Sequence, residues 1–297
     1  MTQQSITPEE QINTTRRISE TRRFFRVFFG RGIVVFGMVI VFIFIILAVF
    51  GPWLAPYPPN DISSDRLQTP SMRHWLGTDD FGRDSLSRLI IGSRNSLMVG
   101  IVAVGIAAGI GIVAGMLAGY YGGIINAVIM RIVDALMSFP MILLALLIAG
   151  LLGNGLTNVM IALGVAMIPV YARLMCGQVL QIRENDYVLA GRSMGSTNWR
   201  LMFLHILPNS FPPLIVLVTM QIGSAVLAEA GLSYLGIGIT PPDPSWGAMV
   251  YNGFKFLITN PLLSFIPGVA IMLIVFAFSM VGDGLRDSLD PRLRGTL

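Results

Sequence analysis

With 297 residues, 54% hydrophobic and 12% charged, and a mean hydropathy of +0.72, the chain has too little charge to cover a water-soluble surface; soluble domains carry roughly twice that charged fraction. The net charge of +4 does not point to nucleic acid, because the basic residues are arginines apart from Lys255 and most flank apolar runs instead of alternating with aromatics. The single cysteine, Cys176, excludes an internal disulfide and a cysteine-cluster metal site, and beside an apolar run it reads as a buried, inert thiol.

Residues 1–32 are polar and then basic, with Arg16, Arg17, Arg22, Arg23, Arg26 and Arg31 ahead of the first apolar run. That run, Ile33–Leu54, is long enough to cross a hydrocarbon core of about 30 Å at about 1.5 Å per helical residue. It lacks the short apolar core and cleavage site of a signal peptide, which predicts a retained first transmembrane helix over 33–54. Residues 55–95 are a soluble-looking segment opened by Pro56, Pro58 and Pro59. Its Asp79, Asp80 and Asp84 raise a cation site, but Arg83, Arg88 and Arg94 close by favour charge compensation within a folded surface segment.

Residues 96–285 read as a core of five further helices, and 286–297 as a tail. Leu97–Gly119 predicts the second span, with Gly111, Gly115 and Gly119 at small-xxx-small spacing; such a face suits close helix packing, inside this subunit or against a partner. Val128–Leu152 predicts the third span, in which Arg131 and Asp134 are expected to pair locally at i, i+3. Asn158 to about Val179 predicts the fourth, broken by Pro169; Phe211–Gly238 the fifth; Ser264–Val281 the sixth. Glu229, inside the fifth span, leaves two readings open with its neighbour Ser233: lining a translocation path, or hydrogen bonding to another helix. The expected class is an all-α polytopic membrane protein with six transmembrane helices.

Between the fourth and fifth spans, residues 183–209 form the longest stretch of the second half unsuited to lipid. A first helix over Tyr187–Met194 is expected to be capped by Asn185 or Asp186. Gly195 permits a sharp turn at positive φ. A second helix from Ser196 places Trp199, Met202, Phe203, Ile206 and Leu207 on one apolar stripe until Pro208 stops it.

These residues resemble the permease subunits of binding-protein-dependent ABC importers. That family's cytoplasmic signature reads Glu-Ala-Ala, three residues, Gly, nine residues, Ile, one residue, Leu-Pro. Ala190, Gly195 and Leu207-Pro208 match in register; Leu189 and Gly191 replace the Glu and second Ala, and Ile206 lies one place late. The strings Leu76-Gly77-Thr78-Asp79-Asp80-Phe81-Gly82-Arg83-Asp84, Glu229–Gly238 with Pro241–Gly247, and Gly282–Asp287 with Leu289–Arg292 resemble the dipeptide/oligopeptide type in particular. The resemblance implies the type I importer permease fold. It further implies a heterodimer with a homologous permease, two ABC ATPase subunits, and an extracytoplasmic binding protein that touches 55–95 and 240–261. ATP and Mg would sit on the ATPases, and this chain would bind no cofactor. ATPase docking would fall to Asp186, Tyr187, Ala190, Gly191, Arg192, Gly195, Leu207 and Pro208.

Six spans put both termini on one side, and 14 of the 20 basic residues fall on that side against 6 on the other. The termini and the 183–209 loop are therefore expected in the cytoplasm of a bacterial or archaeal cell, with the chain in its inner membrane. A phosphate-binding loop needs Gly-Lys before Ser or Thr, and Lys255 stands between Phe254 and Phe256. Energy must then come from a partner. A proton- or sodium-coupled carrier remains the alternative, with Asp134, Glu229 and Asp283 as its acidic candidates, although no repeat relates the two halves. A membrane enzyme is disfavoured: His74 and His205 are far apart and read as solvated, and neither HExxH nor a nucleophile elbow is expected.

Overall fold

The structure, a computed structural model, describes residues 20–239 and 242–289; Arg16, Arg17, Thr240, Pro241, Asp290, Pro291, Arg292 and Arg294 lie outside the described residues. It is all-α: among the described residues the β pairing is one isolated bridge, Thr78 with Asp84. The helices are α1 (Glu20–Phe29), α2 (Gly32–Leu54), α3 (Ser85–Tyr121), α4 (Gly123–Met137), α5 (Met141–Leu152), α6 (Leu156–Ile182), α7 (Asp186–Ser193), α8 (Asn198–Tyr234), α9 (Trp246–Phe254) and α10 (Leu262–Leu289). Five of them are long and apolar enough to cross a membrane, and α4 with α5, bent by 91°, makes a sixth crossing when counted as one span.

Local chemistry explains where the elements depart from expectation. Helix α3 begins three turns before its apolar run because Asp84 caps it, accepting from Ser87 N–H at 2.8 Å and Ser87 Oγ at 2.7 Å. The third span breaks at Ser138-Phe139-Pro140, where Pro140 lacks an N–H and disfavours helical geometry at Phe139. Pro169, by contrast, does not break α6, which packs over most of its length and runs on to Ile182. Nor does Pro208 stop α8. A π-helical turn over Leu201–Ile206 precedes it, and Asn209 Nδ2 and Ser210 Oγ donate to the carbonyls of His205 (2.6 Å) and Ile206 (3.0 Å).

The bundle is organised about the seam between α3 and α6. A Cβ at Gly111 would stand 2.6 Å from Tyr171 Cβ, at Gly115 2.2 Å from the Ala172 carbonyl oxygen, and at Gly119 2.7 Å from Val179 Cβ. The small-residue face therefore serves contact inside this subunit, where close backbone approach supplies the dispersion that apolar burial does not supply in lipid. Asp134 pairs across helices with Arg173 of α6, not with Arg131 as expected.

One end of the bundle gathers the start of α2 and the end of α10, joined by an ion pair of Arg31 with Asp287. The opposite end is capped by residues 55–84. There Asp79 pairs with Arg83 (2.7 Å), and Arg88 Nη1 donates to the Pro59 carbonyl (2.9 Å) and Asn60 Oδ1 (3.1 Å). His74, expected to be solvated, is buried: its Nδ1–H donates to Asp84 at 2.9 Å and its ring lies 5.0 Å from that of Tyr57. A buried carboxylate that caps a helix through Ser87 accepts that ring N–H as a further donor, on its other oxygen.

Candidate functional site: the elbow between α6 and α8

Helix α7 and the first turns of α8 project from the same end of the bundle as the last turn of α3. Arg183 Nη1 donates to the Gly119 carbonyl at 2.8 Å, occupying one of the acceptors that a helix C-terminus leaves free. Tyr120 OH donates to Asn198 Oδ1 at 2.9 Å. The elbow is thus fastened to α3 on both sides of its turn.

The turn itself is a Schellman motif. Gly195 has φ +80°, its N–H donates to the Arg192 carbonyl (3.0 Å), and Ser196 N–H donates to that of Gly191 (3.1 Å). Thr197 Oγ1 caps α8, accepting from Arg200 N–H at 3.4 Å, whereas neither Asn185 nor Asp186 caps α7 with its side chain as expected. Underneath, Val188, Leu201, Met202 and Ile206 are buried together with Met116, Met175, Val179, Ile182 and Leu214 of α3, α6 and α8. The seam and the elbow therefore share one core, and a push on the elbow reaches α3 and α6 through packed side chains rather than through a flexible loop.

Of the residues expected at a docking surface, Asp186, Tyr187, Ala190, Arg192 and Gly195 are exposed along α7 and its turn. Gly191 is buried, with room for only a small residue because a Cβ there would lie 3.1 Å from Leu201 Cδ2. Pro208 is exposed and Leu207 half-buried, both beyond the π turn. The expected single stripe on α8 splits. Met202 and Ile206 face the core, while Trp199 and Phe203 face outward, stacked 5.2 Å apart at 13°. Leu201, off the stripe on a regular wheel, is buried in their place, because the wide turn resets the helical register.

Met194 (81% exposed) and Leu204 (62%), both off the expected stripe, are exposed apolar side chains, as is Trp199 (62%) on it. Arg192 and Arg200 of the same segment are exposed as well. A Gly-x-Ser-x-Gly spacing does stand in the chain, at Gly191-Arg192-Ser193-Met194-Gly195, against the expectation of no such elbow. It is not a nucleophile turn: Ser193 ends a helix, not a strand, and its Oγ donates to the Leu189 carbonyl at 3.0 Å.

Glu229 and Ser233 lie far from the elbow, near the other end of α8. Both are buried: Ser233 Oγ donates to Glu229 Oε1 at 2.7 Å, and Ser96 Oγ of α3 lies 3.5 Å from Oε2. Ser96 Oγ also accepts from Trp246 N–H of α9 at 3.3 Å. Of the two readings of Glu229, hydrogen bonding to a neighbouring helix is present in the structure. Among the described residues no group of three or more His, Cys, Asp or Glu has the arrangement of a metal site.

Five membrane-length helices, with α4 and α5 as a sixth crossing when counted as one span, and a packed helix–turn–helix elbow are the architecture of an ABC importer permease. The chain belongs to the binding-protein-dependent transport system inner membrane component family, whose profile matches residues 111–295. A second profile, the N-terminal TM domain of oligopeptide transport permease C, matches residues 19–70. The dipeptide transport system permease protein DppC of Alkalihalophilus pseudofirmus is 41% identical over 97% of this chain and 94% of its own. The probable D,D-dipeptide transport system permease protein DdpC of Escherichia coli is 43% identical over 90% of each. The glutathione transport system permease protein GsiD of Salmonella typhimurium is 41% identical over 92% of this chain and 91% of its own. Among solved structures, an inward-facing MetNI methionine ABC transporter matches in fold with a TM-score of 0.57 at 22% identity, over 68% of this chain and 97% of that one.

Proposed function

We propose that this chain is the translocation subunit of an ATP-driven importer of short peptides or related small solutes. It pairs with a homologous permease, is driven by two ATPase subunits docked on the elbow, and is supplied by an extracytoplasmic binding protein. It binds no cofactor and catalyses no reaction. The observation that carries this reading is the elbow itself, a stiff helix–turn–helix with exposed Trp199 and Phe203 outside and a core shared with α3 and α6 inside. Such a surface transmits displacement without chemistry, and the relatives' names supply the cargo class. The arginine asymmetry supports a cytoplasmic elbow and cytoplasmic termini, where an ATPase would be available. Helix α7, with Asp186, Tyr187, Ala190 and Arg192, would enter a groove on the ATPase, and Gly195 would hold its angle to α8.

The test is purification of the chain from its native membrane with its associated subunits, followed by reconstitution. Two ATPase subunits should co-purify, and peptide uptake into proteoliposomes should require ATP and survive collapse of the proton gradient. Uptake that follows the proton gradient and ignores ATP would overturn the reading in favour of a secondary carrier.

A further inference from the structure

Helix α1 carries an apolar face that the described residues leave bare. Its sequence, Glu20–Phe29, holds Phe24, Phe25, Phe28 and Phe29 together with Arg22, Arg23 and Arg26. At about 100° per residue the four phenylalanines share one sector of the helix, and the three arginine positions fill the adjoining one. The rings form two i, i+4 stacks, Phe24 with Phe28 (5.6 Å, 10°) and Phe25 with Phe29 (6.0 Å, 17°). The stacks differ in cover. Phe28 is 7% exposed and sits over Gly284 of α10, where a Cβ would stand 3.3 Å from its ring and 2.7 Å from Val34 of α2. Phe25 and Phe29 are 53% and 47% exposed, and Arg26 is exposed too.

Chain connectivity fixes where that face lies. Only Gly30 and Arg31 separate α1 from α2, and Arg31 is held by Asp287 at the end of α10. Helix α2 has 23 residues, about 34 Å at about 1.5 Å per residue, against a hydrocarbon core of about 30 Å. A span with so little length to spare starts at the edge of the core, and α1 ends two residues before it. Acyl chains are therefore within reach of Phe25 and Phe29, and a headgroup layer within reach of the arginines. A protein on the same face would have to be recruited and to supply carboxylates; lipid is there wherever α2 is inserted.

We propose that α1 is an interfacial anchor for anionic phospholipid. It lies on the bilayer surface with Phe25 and Phe29 at the acyl boundary and its arginines at lipid phosphates, while Phe28 and Arg31 fasten it to α10. The anchor stands on the first span alone and does not depend on what the bundle carries. Through it the last turns of α10 are held at the level of the headgroups, because Gly284 and Asp287 are the two points to which α1 and its link to α2 are attached.

The test uses the full-length protein, purified with its associated subunits and placed in nanodiscs, with Cys176→Ala as background and a nitroxide on Phe25→Cys, Phe29→Cys or Arg26→Cys. Labels at 25 and 29 should be relaxed by oxygen and shielded from an aqueous nickel chelate, while the label at 26 should be reached by the chelate. Chelate access at all three positions would put the face in water. Shielding from both relaxants at 25 and 29 would put a protein on it. Either result overturns the proposal. Its charge dependence is read by amide exchange over residues 20–29. In nanodiscs containing phosphatidylglycerol, exchange should be at least about 5-fold slower than in phosphatidylcholine, and the Arg22→Gln/Arg23→Gln/Arg26→Gln variant should exchange alike in both. Exchange in the parent that ignores lipid charge, or a variant that keeps the parent's difference, would overturn the anionic preference and the proposal with it.

Discussion

Gly115 and Gly195 are the same residue type kept for opposite reasons. At Gly115 the backbone is an ordinary helix and there is no room, since a Cβ would fall 2.2 Å from the Ala172 carbonyl oxygen. At Gly195 there is open space on every side, and the constraint is φ +80°. The first glycine holds two spans together; the second sets the angle of an arm that those spans carry. The contrast teaches that the seam is a matter of assembly and the elbow a matter of transmission. Substitutions should therefore separate the two.

The largest effect is expected from Gly115→Val. A side chain there must push α6 away from α3 along the longest contact in the bundle, and overpacking of this kind costs about 3 kcal/mol or more when the obstacle is backbone. The purified variant should aggregate or lose its monodisperse peak in detergent, with no uptake left to measure. A well-folded Gly115→Val protein would mean that the seam is looser than the structure shows.

Next comes Asp84→Ala, at the opposite end from the elbow. The buried carboxylate caps α3 through Ser87 and accepts from His74, so its loss leaves buried donors unpaired. A lost cap costs about 1 kcal/mol and an unsatisfied buried donor about 1–3 kcal/mol. Thermal denaturation of the complex should show a clear drop, and Asp84→Asn, which keeps an acceptor, should recover part of it. Equal stability of the Ala and Asn variants would mean that the cap, not the carboxylate, is dispensable.

At the elbow the expected loss is functional. A β-branched residue at φ +80° costs about 1–2 kcal/mol, and nothing nearby must move to admit its side chain. Gly195→Val should therefore insert and assemble, yet lower ATP-driven uptake several-fold while basal ATP hydrolysis continues. Gly195→Asn, which tolerates the left-handed region, should lie much nearer the parent. Equal uptake by the Val and parent complexes would sink the idea that the turn angle matters.

The two regions also differ in how much of them is legible in the sequence. The seam announces itself: three glycines four residues apart in an apolar run have one good explanation in lipid, leaving open only which helix they meet. The elbow is half legible. Gly195 and the apolar residues around it predict helix, turn, helix, and those are present. What escapes is the register of α8, because the π turn at 201–206 leaves no mark on a 3.6-residue wheel. That turn sends Trp199 and Phe203 outward and Leu201 inward, and lets the helix run on through Pro208. Prolines mislead for the same reason at Pro169, where tertiary packing overrides the local preference, while at Pro140 nothing overrides it and the span bends. His74 and Asp134 show a third limit. Each reads as a local feature, and each takes its partner from a residue ten or more positions away, which only the fold brings close.

The smallest expected effect completes the contrast on α3 itself. Gly105 and Gly109 share the spacing of Gly111, Gly115 and Gly119 but lie on an exposed face, and a Cβ at either would meet nothing within 4 Å. In an isolated helix, Gly→Ala stabilises by about 1 kcal/mol through backbone entropy alone. Gly105→Ala should therefore leave the detergent-purified chain as stable as the parent or slightly more so. The informative comparison is between that measurement and the assembled complex, where the same face either looks at lipid and tolerates the methyl or is covered by the homologous permease and does not. Retained stability of the chain with loss of heterodimer on size-exclusion chromatography would assign this glycine pair to the subunit interface. Retention of both would assign it to lipid, and spacing alone would then be no guide to which small-residue face is used.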